Sequence, residues 1–474
     1  MVKKLLYSFL LLLLFLVNAN SAWAITDPLA VPNNKFGIHI SNEYELDDAY
    51  NLVNSSGGDW GYVTFVITEG ERDKDRWQRV FNDMRKRHLI PIVRIATKSN
   101  SNGVWDKPKS EEVNNWTAFL NSLTWVTKNR YVVIYNEPNH AKEWGGTVNP
   151  QEYATIFREF SLKLKGVNED FFVLTAGLDA SAPNSSSTMD EEEFIKKMLE
   201  VDSGIFNYAD GLASHAYPNP DFSGSELATG RGTVTTYNWE LNLLKGLGVT
   251  KNLPIFITET GWKHNMEKEK SPYVSPGEAA RRLTYAYEEV WSEPNIVAIT
   301  PFILNYKEAP FANFSWTKED GTFYDFYEAV RKIKKEHGKP EQKEAGTVLA
   351  VFTSPIHRGG SIFGGTILVK NHGESIWNYG DISVREINAK ITILESTLHG
   401  PVEPQKYSVM SFKAVAPINN GLYGTRFALY NKDKKITNDF PFEILSIGTN
   451  TVQSESFFDK IVKSFVNFLT NLGL

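Results

Sequence analysis

Between about Lys35 and Lys335 the sequence alternates eight short apolar, strand-like runs with longer amphipathic stretches, and few folds accept that rhythm. The runs are Phe36–Ile40, Tyr62–Ile67, Ile90–Ile95, Tyr131–Tyr135, Phe172–Ala176, Gly211–His215, Ile255–Thr258 and Ile296–Leu304. Strand signals separated by helical patterns imply βα units and a parallel sheet. Eight repeats in some 300 residues match a (β/α)8 barrel, and open doubly wound sheets rarely sustain so regular a count. The stretches between the runs carry helix signals. Arg76 to His88 places Trp77, Val80, Phe81 and Met84 at helical spacing. Asn149-Pro150-Gln151-Glu152 supplies a cap residue, a first-position proline and a first-turn acid. Ser275-Pro276-Gly277-Glu278 does the same for a helix running to Val290.

The 474 residues exceed one ordinary core, so further units are expected. The charged run Lys334 to Glu344 suits a linker, and Thr347 to Ile447 has no helical period. Alternating strands such as Gly365–Val369 and Arg385–Ile393, broken by Gly, Asn and Pro, predict a β-sandwich there. The tail is amphipathic, with Phe457, Phe458, Ile461, Val462, Phe465, Val466 and Leu469 on one helical face. Docking on the sandwich and contact with a membrane surface or partner protein are both open for it. At the other end, Lys3 and Lys4 precede the apolar run Leu5 to Val17, and Ser21-Ala22-Trp23-Ala24 offers a small-x-small cleavage site. The expected layout is a signal peptide over 1–24, a barrel over 25–340, a sandwich over 341–450 and a helix over 451–474. The expected location is secreted, at the cell surface or in a periplasm.

The chain has no Cys, which excludes disulfides, thiolate nucleophiles and Cys-ligated metal. A formal charge of −6 argues against nucleic acid as a partner.

Barrel enzymes place working residues at the carboxyl ends of strands. Two glutamates stand there, each directly after an apolar run. Glu137 lies in YVVIYNEPNH, where Pro138 cannot continue a ladder. Glu259 lies in PIFITETGW, where Gly261 permits the turn that follows. A proton donor and a second carboxylate are what glycosidic bond cleavage requires. Asn136 can offer a hydrogen bond to a substrate hydroxyl. His215 and Tyr217 (ASHAYP) follow the sixth run, Arg94 ends the third, and His39 lies on the first. A cation near a carboxylate would lower its pKa. With 12 Trp and 20 Tyr in the chain, Trp144, Trp262, Tyr306 and Trp316 are candidate platforms for stacking on sugar rings, with core packing as the alternative.

An Asn-Glu-Pro after strand four and a Glu after strand seven resemble the clan of retaining glycoside hydrolases that includes families 5, 39 and 53, and NEPNHAKEWGG is most similar to the family 39 and family 5-like branch. The resemblance implies Glu137 as acid/base, Glu259 as nucleophile and Asn136 as a contact to the substrate 2-hydroxyl. It also implies a contact from His215 or Tyr217 to Glu259. Double displacement through a glycosyl-enzyme would follow, with the carboxyls about 5 Å apart. The substrate class would be an oligo- or polysaccharide, with no metal and no organic cofactor. A non-catalytic polysaccharide receptor and a transglycosylase are the alternatives. ILVKNHGESIWNYGD and APINNGLYGTRFALYNKD resemble an immunoglobulin-like domain with spaced tryptophans. Asn371, Gly373 and Trp377 fit that pattern, and Phe427 stands where a second Trp is expected.

Overall fold

The computed structural model describes residues 25–448 apart from 101, 267–271 and 389. The expected signal peptide and the C-terminal amphipathic segment lie outside the described residues. The described residues form two compact units, one of 25–123 and Asn129–Pro340, the other of Thr124–Lys128 and 341–448.

All eight expected barrel strands form. In chain order the first unit runs β1 (Gly37–His39), α1 (Leu46–Val53), β2 (Gly61–Thr68), α2 (Lys74–Lys86), β3 (Leu89–Ala96), α3 (Ser110–Ser122), β4 (Arg130–Ile134) and α4 (Pro150–Val167). It continues with β5 (Phe171–Leu174), α5 (Glu191–Val201), β6 (Leu212–His215), α6 (Thr236–Gly246), β7 (Ile255–Glu259), α7 (Pro276–Glu288), β8 (Ile296–Ile299) and α8 (Asp325–Lys332). The strands pair in parallel in the orders β1 to β5 and β6 to β8. Single bridges from Leu174 to Gly211 and from Phe36 to Ile299 close the circle. The result is a (β/α)8 barrel.

The helix signals operate as their chemistry requires. Asn149 and Ser275 each accept a hydrogen bond from the backbone N–H three residues on, ahead of Pro150 and Pro276. Trp77, Val80, Phe81 and Met84 are all buried along α2. Strand β8 stops at Ile299, five residues short of its expected end. Pro301 has no N–H to extend the ladder, so the apolar residues that follow leave the sheet.

Inside the barrel, Tyr62, Tyr131, Phe172 and Phe256 meet in an aromatic layer with centroids 5.0–6.0 Å apart. Burial of each such ring stabilises by roughly 1.5–3 kcal/mol. The layer makes the barrel a packed core and leaves its carboxyl end as the place for polar groups.

The first half of the charged run belongs to this unit. Lys335 is 5% exposed and donates to the carbonyls of Val330, Arg331 and Ile333 at the end of α8. Burial, with Arg331 adding to it, lowers the Lys335 pKa to about 8. Lys339 N–H donates to Pro32.

The second unit is a two-sheet antiparallel sandwich with one parallel edge pairing. One sheet has the order β10-β17-β15-β12 and the other β13-β14-β11-β9. Their ranges are β9 (Gly346–Phe352), β10 (Ile356–Arg358), β11 (Ile362–Asn371), β12 (Ile382–Glu386), β13 (Thr392–Leu398), β14 (Tyr407–Val415), β15 (Gly421–Asn431), β16 (Lys434–Lys435) and β17 (Phe440–Ile447). The expected strand Arg385–Ile393 is two strands, one in each sheet. Asn388 forms the corner between them, its side-chain oxygen accepting from Thr425 Oγ1 and Arg426 N–H. Trp377 is fully buried in the core. Asn371 locks the adjoining turn by donating to Ser375 and Val402 and accepting from Gly373. Phe427 packs with Phe440 and Phe442. Among the described residues no helix is long and apolar enough to cross a membrane.

Candidate active site

The carboxyl end of the barrel gathers Arg94 from β3, Asn136 and Glu137 after β4, His215 from β6, Tyr217 just beyond it, and Glu259 from β7. Side chains of consecutive residues in a strand point to opposite faces, yet Asn136 and Glu137 both serve this site. Backbone torsions account for it, since Tyr135 and Glu137 have φ of 68° and 32°, in the left-handed region. The alternation breaks where the strand ends.

Arg94 Nη1 donates to Glu259 Oε1 at 2.6 Å and also to Asn136 Oδ1. Tyr217 Oη donates to Glu259 Oε2 at 3.0 Å. His215 Nδ1 lies 2.9 Å from Glu137 Oε1 and 3.8 Å from Glu259 Oε2. An oxygen of Glu137, an oxygen of Glu259 and a ring nitrogen of His215 all fall within 4.8 Å of one another. His215 reaches this position because residue 177 has no side chain. A Cβ there would stand 2.2 Å from His215 Cδ2 and 2.5 Å from its Nε2.

The charges are set by these contacts. Burial opposes ionisation of Glu259, but His215 and Arg94 outweigh it and hold its pKa down to about 2. Burial likewise opposes charge on His215, and Glu259 with Glu137 overcome it, so the imidazole pKa is raised. Burial and the Glu259 charge push the Tyr217 hydroxyl well above its ordinary range, so it stays a donor. His39, fully inside the barrel, is driven down to about 3 by burial and then by Arg94, and neither ring nitrogen has a hydrogen-bond partner. A neutral His39 is packed edge-on against Phe302 at 5.2 Å.

The aromatic candidates divide differently from expectation. Trp144 is completely buried, its indole N–H donating to Glu152 Oε2 at 2.8 Å and its ring set edge-on to Tyr135 and Tyr153. Trp262 is 3% exposed and donates to the Gly224 carbonyl. Trp316 is 2% exposed and packs edge-on against Phe326. None of the three presents an open ring face, so their expected role as sugar platforms is corrected to packing. Large apolar rings near a barrel mouth gain more from burial than from waiting in water for a ligand. Tyr306 is half-buried against Phe311.

Two neighbours of the site were not anticipated from the sequence. His140 Nε2 lies 2.8 Å from Asp179 Oδ2, and the Glu143 carboxyl, 10% exposed, has its pKa raised by burial and then by the Glu137 charge. Their positions three and six residues after Glu137 carry no signal, because a loop brings them back. The missed Gly177 had one, as a glycine at a strand end often marks close approach of another group. Glu137, His215 and Glu259 offer a donor set of a size that could hold a metal ion. The guanidinium already on Glu259 places a fixed positive charge where a divalent cation would sit, and so the donor set fits a cation poorly.

No protein-family model matches the chain, and no curated protein sequence matches it. Solved structures with a related fold include a family 39 β-xylosidase from Caulobacter crescentus, at 12% identity, 82% of this chain, 97% of that chain and a TM-score of 0.45. Endo-glycoceramidase II from Rhodococcus sp. aligns at 13% identity over 83% of this chain and 99% of its own, with a TM-score of 0.43. A family 128 endo-β-1,3-glucanase from Sorangium cellulosum aligns at 14% identity over 63% and 97%, with a TM-score of 0.41. At these identities and scores, the functional reading rests on the site itself.

Proposed function

We propose that the protein is a retaining glycoside hydrolase acting on an oligo- or polysaccharide, with Glu137 as acid/base and Glu259 as nucleophile. The observation that carries this is the spacing of the two carboxylates, whose oxygens approach within 4.8 Å. Inverting pairs stand about 6.5–9.5 Å apart to admit a water, whereas retaining pairs stand at about 5–5.5 Å. The electrostatics support the same division of labour. Glu259, kept ionised by His215 and Arg94, is free to attack the anomeric carbon. Glu137 is hydrogen-bonded to an imidazole from which it can draw a proton for the leaving oxygen. Attack forms a glycosyl-enzyme at Glu259, and Glu137 then takes a proton from the incoming water. Asn136, oriented by Arg94, is placed to donate to a hydroxyl of the bound sugar. The basic start, apolar run and small-x-small site at the N-terminus support export, and the sugar polymer would be met outside the cytoplasm.

The test is product release from a polysaccharide panel, with the anomeric configuration followed by NMR. Glu137→Ala and Glu259→Ala are run beside the wild type. Retention in the wild type, loss in both variants and rescue of Glu137→Ala by azide are expected. Tight binding of one polymer without turnover would replace this reading with a receptor, and transfer to added sugar acceptors would make the protein a transglycosylase.

A further inference from the structure

Where a sandwich sheet faces water, its outward residues alternate with buried ones and are polar as a rule. One face of this sandwich departs from that rule. Ile356 of β10, Leu445 of β17 and Leu422 of β15 stand opposite one another in register and make an apolar row across three strands. Ile447 follows two residues along β17. Gly359, whose N–H donates to Ile447 O, brings Ile418 alongside. All five are 36–70% exposed. Their joint open surface is of the order of several hundred Å², the size at which a patch marks an interaction site. The other sheet differs. On its outer face Lys413 pairs with Glu395 at 2.6 Å and His399 is hydrogen-bonded to Ser411. Its exposed Leu349, Ile362 and Leu394 are scattered, none opposite another in register.

Strand β17 ends inside the patch. The chain leaves it at Gly448, whose N–H donates to Asn420 Oδ1 and whose φ of 60° turns the backbone out of the strand. Residues 449–474 follow, and their sequence sets Phe457, Ile461, Phe465 and Leu469 at successive four-residue steps, the spacing of one helix face. The stretch 449–456 can span at most about 28 Å, ample to reverse the chain onto a patch that begins where the stretch begins. Three strands are about 10 Å across, the length of roughly two helical turns. On so short a tether the segment meets the patch at an effective concentration of the order of millimolar. The charges of the tail are Glu455, Asp459, Lys460 and Lys463, which cancel. An anionic membrane surface is held by clusters of Lys and Arg, so this composition favours a protein face over a lipid one.

We propose that residues 457–469 form a helix docked on this outer face in the same molecule, with Phe457, Ile461, Phe465 and Leu469 covering Ile356, Leu422 and Leu445. The tail is then a third layer of the sandwich unit. It also shields an apolar row beside β10, the edge strand of its sheet, from pairing with other chains.

Hydrogen exchange of the full chain, read peptide by peptide over about a hundredfold range of protein concentration, tests this. Amides of 459–469 should exchange at least about tenfold more slowly than an unstructured chain at every concentration. In Leu422→Asp/Leu445→Asp they should exchange at the unstructured rate, while protection kept in β11 and β14 shows that the sandwich is folded. The reciprocal variant, Ile461→Asp/Phe465→Asp, uncovers the row and should raise the fluorescence of an added anilinonaphthalene sulfonate dye several-fold. Tail amides at the unstructured rate in the wild type overturn the proposal, and so does protection unaltered in Leu422→Asp/Leu445→Asp. Protection that grows with concentration overturns it in favour of a second copy of the chain. Protection gained only with vesicles of phosphatidylcholine and phosphatidylglycerol overturns it in favour of a membrane surface. Should the sandwich of Leu422→Asp/Leu445→Asp fail to fold, the tail variant decides, and unchanged dye fluorescence there overturns the docking.

Discussion

Removing the guanidinium of Arg94 should shift when Glu259 carries its charge. The two side chains are 13% and 10% exposed and meet at 2.6 Å, so the pair is poorly screened by water. With charge centres about 4 Å apart and an effective dielectric near 20, the attraction is about 4 kcal/mol. Arginine neighbours lower carboxylate pKa values by about 1–3 units. Arg94→Met should therefore raise Glu259 from about 2 in the wild type to between about 3 and 5. The sign follows from linkage. A carboxylate with a depressed native pKa stabilises the fold above its unfolded pKa, and that stability is lost as pH falls through the native value. In the wild type the lowered Glu259 pKa contributes about 3 kcal/mol at pH 7, lost between about pH 4 and pH 2. Arg94→Met should lose most of that at pH 7 and much less at pH 2, where the variant's Glu259 and its unfolded counterpart are both protonated and the wild-type group is itself about half protonated. Urea unfolding at the two pH values measures this directly. Arg94→Lys should recover part of the loss, since it restores the charge but not the planar guanidinium whose Nη1 reaches both Glu259 and Asn136. A destabilisation by Arg94→Met that is equal at pH 7 and pH 2 would refute the electrostatic account of the nucleophile.

Three further substitutions probe the supporting structure. Gly177→Ala drives a methyl group into the His215 ring, so it should cost about 1–3 kcal/mol by overpacking and, through the displaced imidazole, at least about a hundredfold in kcat/KM. Denaturant titration and initial-rate kinetics measure both. Tyr217→Phe removes a hydrogen bond to an ionised carboxylate, of the order of 1.5–3 kcal/mol. A tenfold to hundredfold loss of kcat/KM with little change in Tm is expected. Trp144→Phe should lower stability by about 1–3 kcal/mol through lost packing and the lost indole hydrogen bond, Glu152 keeping its pairing with Lys107, yet leave KM for short oligosaccharides unchanged. A several-fold rise in that KM would restore Trp144 as a sugar contact.

The barrel strands were legible because helices cover a parallel sheet and leave its strands as apolar runs. Where the apolar run outlasted the hydrogen-bonding pattern, at Pro301, the expected end of β8 overshot. In the sandwich, Arg385–Ile393 looked continuous because alternation alone does not mark a chain crossing between sheets. Asn388 was the available corner signal. Glu137 and Glu259 stood out because they end strands. Glu143 and the His140–Asp179 pair did not, since a loop's return path is decided by tertiary contacts such as the burial of Trp144. Composition likewise could not say which indoles would be buried. An indole and a sugar platform have the same side chain, and only the surrounding packing separates them.

The left-handed backbone at Tyr135 and Glu137 has an implication for directed evolution. Such torsions cost of the order of 1 kcal/mol or more for residues other than glycine and asparagine, and here they bring two adjacent side chains onto one site. Selection for thermal resistance alone would therefore reward Gly or Asn at position 137, whereas Tyr135, buried edge-on against Trp144 and Phe160, would lose more in packing than it gained. Lineages evolved without a turnover screen should drift there first, gaining heat tolerance while dismantling the strand end that holds the acid.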